Sequence, residues 1–430
     1  MDSPYRFGEF AIWPSERRLL KGAEEAPLPP KAFEALLLLV RNHGQLVLRQ
    51  ELMRKLWPDI HVSEANLTNI IVHLRKLLGR DAVQTVSKAG YRFTPAVSGE
   101  PGIQQTAYAS FIRGKELLRE RTIECVRQAR DHFLFCIAED PQFAAAWAWL
   151  GRAYRLLEKF GCEPSTAPSI AEAAFRRAFL LDPDLPCAHQ FYTQFQADRG
   201  QSREAIVRLA ARIKKIGEDP ETLAGFVQVL RYCGLLRESV AAHERVMALD
   251  PTAQTSVAHT HFLLGDYPSM LANYPGKGLY LDAAVWEALG HRERALSVLR
   301  TRAACPDMGP FTHKMLSSLI AILDGRESEA RKIIAEVDTD VEPEGVFYIA
   351  RHCGLLNDSA QTIRMVGKAR KAGFWSSFSL EHDAAFGTVR SAPEFTCEIE
   401  IARSLEADYR ILCTANLGPG FLKGSDYHQS

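Results

Sequence analysis

The chain has 430 residues, enough for two or three domains with sizeable cores. Apolar residues make up 47% and charged residues 24%, which excludes a disordered or fibrous chain. Lysine plus arginine total 52, as do aspartate plus glutamate; the zero net charge excludes a histone-like protein or an acidic tail protein and, taken whole, argues against nucleic acid. No run approaches the roughly 20 apolar residues needed to cross a bilayer, the longest core-like run being residues 36–40. The opening Met1-Asp2-Ser3-Pro4 lacks the basic-then-apolar pattern of a signal peptide. Nine cysteines stand singly, none in the first 124 residues and none in a Cys-x-x-Cys pair. They are expected as buried thiols of a reduced cytoplasm, not as zinc ligands or disulfides.

In the first hundred residues, short alternating runs such as Tyr5-Arg-Phe-Gly-Glu-Phe10 predict strands, and three helical patterns follow. Residues 83–86 and 91–93 predict a closing pair of strands joined by a tight turn containing Gly90. The most informative stretch is 63–79. Leu67, Ile70, Ile71, Leu74, Leu77 and Leu78 fall at helical spacing as a buried stripe, with Ser63 a candidate N-cap. On the opposite face lie Asn66, Asn69, His73 and Lys76, flanked by Arg75, with no carboxylate after Glu64. A solvated helix usually mixes in Asp or Glu. This acid-free face suits a helix in the major groove, where Asn can pair with adenine in a bidentate way and basic groups can reach guanine or phosphate.

The run Val62-Ser-Glu-Ala-Asn-Leu-Thr-Asn-Ile-Ile-Val-His-Leu-Arg-Lys-Leu-Leu-Gly79, followed by Val83-Gln-Thr-Val-Ser-Lys-Ala-Gly-Tyr-Arg-Phe93, resembles the winged-helix DNA-binding domain of OmpR-type response regulators and their ToxR/CadC-like relatives. Residues 28–40 and 49–57 fit the first two helices, and the likeness covers about residues 4–97. It implies base reading by Asn66, Asn69 and His73, and phosphate contacts from Trp57, Arg75, Thr85 and Tyr91, with Lys76 added from its place on the exposed face. Trp57 equally suits packing at the end of the second helix, and Tyr91 and Phe93 suit a wing core. Many relatives place an arginine after the Thr-Val pair; this chain has Ser87-Lys88-Ala89, so Lys88 is expected at phosphate rather than in the minor groove. Arg17, Arg18 and Lys21 are expected to be a solvated basic cluster.

Residues 95–106, rich in Pro, Gly and Ser, look like a linker. Beyond them the pattern is helical and repetitive. Ala129-x3-Phe133 precedes Pro141 by the same offset that separates Ala171-x3-Phe175 from Pro183 and Ser239-x3-His243 from Pro251. Gly200, Gly234, Gly290, Gly325 and Gly354 are each followed five residues on by Ala205, Ser239, Ala295, Ala330 and Ser359, and four further on by Leu209, His243, Leu299, Ile334 and Ile363. A left-handed glycine ends one helix, and a small residue lets the next pack closely on it. The spacing matches a helical hairpin of about 34 residues. The unit Trp147-x2-Leu-Gly-x2-Tyr154, then Ala171, Phe175 and Pro183, resembles the tetratricopeptide repeat, with an eight-residue insertion near 162–169. Seven or eight such units are expected, stacked so that a curved inner surface is left for a partner.

No phosphate loop, His-Glu-x2-His helix or Gly-x-Ser-x-Gly elbow is present, so no enzyme, cofactor or metal is expected. His259 and His261 sit at alternate helical positions, about 200° apart, and do not face one site. The aromatics of 373–380 are expected to cap the last hydrophobic layer, and the glycine-rich stretch 418–425 to be a flexible end. The expected architecture is multidomain: an N-terminal α+β winged helix-turn-helix (1–97), a linker (98–106), an all-α solenoid of TPR-like helical hairpins (107–370), and a capping segment with a flexible tail (371–430). The expected function is that of a cytoplasmic transcriptional regulator that binds double-stranded DNA. Its solenoid would bind RNA polymerase or another protein, a peptide or a small effector, or would self-associate as a homodimer, without a membrane. The alternative is an interaction scaffold in which the winged helix serves as a docking module. Divided at the linker, the neutral total resolves into 14 basic against 10 acidic residues in 1–97, leaving 38 against 42 beyond.

Overall fold

The computed structural model describes residues 4–14, 17–22, 24–44, 46–57, 64–86, 89–95, 97–98, 102–120, 122–159, 166–273, 280–305, 308–340 and 342–421. The chain divides into two compact units, 1–108 and 109–430.

The first unit opens with strands β1 (Tyr5–Phe7), β2 (Phe10–Trp13), β3 (Arg18–Lys21) and β4 (Glu24–Glu25). Helix α1 (Pro30–Arg41), strand β5 (Leu46–Leu48) and helices α2 (Arg49–Leu56) and α3 (Glu64–Leu78) follow. Strands β6 (Val83–Val86), β7 (Gly90–Phe93) and β8 (Val97–Ser98) close it. An antiparallel sheet runs β4-β3-β2-β1-β8, and a second runs β5-β7-β6. The core gathers the apolar faces the periodicity selects: Leu36, Leu39 and Val40 from α1, Leu67, Ile71 and Leu74 from α3, and Val47, Val83 and Phe93 from the second sheet. Phe7 meets Phe93 edge-on at 5.1 Å between ring centroids, packing β1 against β7 of the second sheet.

Two expectations shift here. Gly90 is not in the turn; it opens β7, where a Cβ would lie 2.0 Å from the Val47 carbonyl oxygen, so glycine is needed for the close approach of β5. Strand β8 pairs with β1 (Phe7 opposite Val97), and the next helix, α4 (Gly102–Glu120), starts inside the stretch read as linker. Arg17, Arg18 and Lys21 are 45–56% exposed and pair with Glu34, Glu25 and Glu9. Such exposed pairs contribute little.

Among the described residues, the next sixteen helices form eight hairpins. They are α4 with α5 (Ile123–Glu139), α6 (Ala144–Lys159) with α7 (Ala167–Leu181), α8 (Pro186–Ala197) with α9 (Ser202–Ile216), and α10 (Pro220–Tyr232) with α11 (Leu236–Leu249). Next come α12 (Val257–Leu263) with α13 (Tyr267–Ala272), α14 (Leu281–Ala288) with α15 (Arg292–Ala303), α16 (Pro310–Leu323) with α17 (Glu327–Ala335), and α18 (Pro343–Leu355) with α19 (Ser359–Ala372). A short α20 (Ser377–His382) and the 25-residue α21 (Pro393–Leu417) close the array. Among the described residues no helix is long and apolar enough to cross a membrane.

The first four rungs of the glycine ladder lie where the spacing puts them. Gly200, Gly234, Gly290 and Gly325 have φ between +69° and +75°, and Ala205, Ser239, Ala295 and Ala330 five residues on are fully buried. The repeat signature has a direct steric cause: a Cβ on Gly151 would sit 2.8 Å from the Phe175 ring, so the Gly and Phe of one unit specify each other. Of the insertion expected near 162–169, residues 162–165 lie outside the described residues and 167–169 form the first turn of α7.

The last rung is displaced by three residues. Gly354 lies inside α18, Asn357 takes the left-handed turn at φ +55°, and the buried small residue is Thr362, while Ser359 is exposed. Gly354 is there because a Cβ would come within 2.1 Å of the Ala385 carbonyl oxygen. That obstacle is backbone and cannot swing away. Gly354→Ala therefore costs about 1–3 kcal/mol of array stability by overpacking, which a urea titration followed by helical circular dichroism measures. Gly265→Ala, with nothing within 4 Å, costs only its left-handed φ and serves as the control.

Helix α18 also corrects the expected open inner surface. It is buried along almost its whole length, and α10, α12, α14 and α16 reach it with polar side chains. Arg231 of α10 forks onto Glu344 (Nε to Oε1 2.9 Å, Nη2 to Oε2 3.2 Å) and donates to Ser256. His259 lies 3.0 Å from the Tyr348 hydroxyl, and Arg351 pairs with Asp383 and Glu287. The Tyr232 hydroxyl lies 2.8 Å from Asp198 and 2.7 Å from Glu342, which also pair with Arg155 and Lys159. Burial pushes the Glu344 carboxyl up, yet the Arg231 and His259 charges outweigh it and hold it below the usual carboxylate range. His259 and His261 face different partners, Glu344 and Asp266, as their 200° separation requires.

His352 on α18 is saturated as a neutral ring. The Ser318 hydroxyl donates to the Met315 carbonyl, so it accepts from Nδ1–H, leaving Nε2 to accept from the Tyr280 hydroxyl. Burial brings its pKa down to about 3, and burial brings His189 down to about 4. Unfolded imidazoles take up protons near pH 6.5, so below that pH the unfolded chain binds more protons and stability falls with acidification. At pH 5 each of the two costs about 2 kcal/mol relative to pH 8. His352→Gln should remove about 2 kcal/mol of that pH dependence, read as the difference between denaturation midpoints at the two pH values.

In the closing segment Phe374 packs on Tyr232 and Phe347, and Trp375 on Tyr409. The expected flexible end is docked at least to Phe421, whose ring meets Phe226 at 5.1 Å under the Arg245 guanidinium; 422–430 lie outside the described residues. The eight described cysteines are all free; Cys136, Cys233, Cys353 and Cys413 are buried, but Cys305 and Cys397 are exposed, against the expectation of buried thiols.

Candidate nucleic-acid interface

Helix α3 buries Leu67, Ile71 and Leu74 and turns Asn66, Asn69, His73 and Lys76 to solvent. The helix ends because Gly79, at φ +101°, reverses the chain; a 3-10 turn (Arg80–Ala82) then leads into β6. That reversal brings the Val83 carbonyl under the last turn of α3, where Arg75 sits. Its Nε and Nη2 donate to Val83 O at 2.8 and 2.6 Å, and Nη2 also donates to Thr85 Oγ1 at 2.7 Å. Arg75 and Thr85, expected at phosphate, are thus joined to each other as the brace between α3 and the wing strand.

Of the two roles expected for Tyr91, the wing core is the one its burial matches. The residue is only 3% exposed, paired across Thr85 and Val47 in the ladder, so its ring belongs to the core. The Arg49 guanidinium lies 5.6 Å from the centre of that ring, bringing a cation to this side of the domain. Trp57 is half-buried against the core at the end of α2, consistent with packing. Lys88 and Ser63 lie outside the described residues. Sequence reasoning missed Val72, 56% exposed on α3, because it searched that helix for hydrogen-bonding groups. The signal was its position three residues after Asn69 and four before Lys76.

Residues 23–93 match the family described as "Transcriptional regulatory protein, C terminal". Transcriptional regulator HilA of Salmonella typhimurium is 33% identical over 92 residues, covering 20% of this chain and 17% of HilA. Regulatory protein VanRB of Enterococcus faecalis is 32% identical over 89 residues, covering 20% of this chain and 40% of VanRB. The chain thus spans less than half the length of these curated relatives. Among solved structures, the DNA-binding domain of Escherichia coli CadC aligns at 25% identity over 23% of this chain and 98% of that one, with a TM-score of 0.22. The P58(IPK) TPR domain aligns at 13% identity over 74% of this chain and 98% of that one, with a TM-score of 0.24.

The N-terminal domain is an OmpR/PhoB-type winged helix of the transcriptional-regulator family. A helical-hairpin region of TPR-like form follows it.

Proposed function

We propose that this protein is a cytoplasmic regulator of transcription that reads a duplex DNA site with α3 in the major groove. The observation that carries the reading is the outward face of α3, where Asn66, Asn69, His73 and Lys76 are exposed together without a carboxylate. Asn69 and Asn66 can each offer one donor and one acceptor to adenine, and His73 can meet a guanine edge. The helical array receives the signal, through a protein such as RNA polymerase, a peptide or small effector, or a second copy of the chain. Hairpins four to seven are closed around α18, so on this reading the array works through its outer faces and its first hairpins.

Arg75 and Lys76 separate the two kinds of basic residue. Lys76→Ala should weaken binding to every sequence and lower the slope of log affinity against log salt by about one. Arg75→Ala should leave that slope unchanged and instead lower the melting point of the winged helix, because three hydrogen bonds to β6 are lost. Fluorescence anisotropy of the full chain on labelled duplex, over a salt series, measures the first effect. An unchanged slope in Lys76→Ala would count against α3 as the DNA-facing helix.

A further inference from the structure

Residues on a helix advance by about 100° each, and the buried Leu67, Ile71 and Leu74 define the inward direction of α3. Asn69, Val72 and Lys76 then lie along the line furthest from the core. Asn66 and His73 occupy one flank, and Arg75, held by the wing strand, the other. A single exposed apolar residue is ordinary on a protein surface. The placement of Val72 is what matters: a stiff, β-branched, exposed side chain between Asn69 and Lys76 along the outward line of α3. It can form no hydrogen bond there. Among the groups that base edges present in the major groove, the thymine C5 methyl is the apolar one.

We propose that Val72 is a specificity-determining residue that packs against a thymine C5 methyl while Asn69 and Lys76 hold the adjacent base and phosphate. This rests on the DNA-reading function proposed above. It adds a preference that none of the polar residues supplies: thymine over uracil at one position of the site.

The test uses the full chain. A duplex is selected from a randomised pool, and each thymine in it is replaced in turn by deoxyuridine, which keeps every hydrogen-bonding group and lacks only the methyl. At one thymine the natural chain should lose affinity by about fourfold, the value of one buried methyl-sized group. Val72→Ala should bind the thymine and uracil duplexes equally. Because Val72 is exposed and alanine favours helix, the variant keeps its fold. The proposal is overturned if no uracil substitution weakens the natural chain, or if Val72→Ala retains the same thymine preference. Failure to select any sequence would remove the DNA-reading function itself, and Val72's role with it. A selected sequence without uracil sensitivity would remove only the role of Val72.

Discussion

Asn69→Ala and His73→Ala each weaken sequence-specific DNA binding by about 1–3 kcal/mol, roughly five- to 150-fold in Kd. Affinity for unrelated duplex changes much less, because phosphate contacts set that affinity. Both residues stand on the exposed side of α3, outside the Leu67, Ile71 and Leu74 stripe, so the folded domain tolerates the change. Competition titrations against a selected site and a scrambled duplex give the ratio directly. Equal losses on both duplexes would show that these side chains hold the backbone and read no base.

Glu344→Ala has the largest expected effect on stability, about 3–5 kcal/mol. The substitution leaves Arg231, 2% exposed, as a buried guanidinium whose remaining hydrogen bonds go to Ser256, and it releases Tyr348 and His259 as well. Removing both charges in Arg231→Met/Glu344→Leu should recover much of the loss, since a packed apolar pair avoids the desolvation of two ions. The exposed Lys215–Asp184 pair provides the contrast: its side chains are 62% and 42% exposed, and Asp184→Ala should cost less than about 1 kcal/mol. Urea titrations of the three variants, monitored by helical circular dichroism, test the order. If Glu344→Ala proved as mild as Asp184→Ala, α18 would not be the element around which hairpins four to seven close.

What could be read from the sequence was local. The buried stripe and acid-free face of α3 follow from a 3.6-residue period, and the glycine ladder follows from one left-handed residue per hairpin, so both were visible in a short window. The displaced last rung shows where that logic ends. Gly354 has the right spacing, but its role is set by the Ala385 backbone 31 residues away, and Asn357 takes the turn instead. Gly90 was misplaced for the same reason, because strand β5, too short to announce itself, is what demands a missing Cβ. The brace from Arg75 to Val83 and Thr85 depends on the reversal at Gly79, and the placement of α18 depends on partners up to 113 residues distant in the chain. Neither leaves a periodic trace. Val72 was within view of the same window, yet a search for donors and acceptors passes over a valine.

Sequence reading by α3 is open to one direct measurement. Selection of the full chain against a randomised duplex pool at near-physiological salt, followed by sequencing of the bound fraction, tests it most directly. Enrichment of one motif containing adenine and thymine is expected, with loss of that enrichment in Asn69→Ala. Recovery of an unenriched pool, or an identical motif from Asn69→Ala, would contradict it.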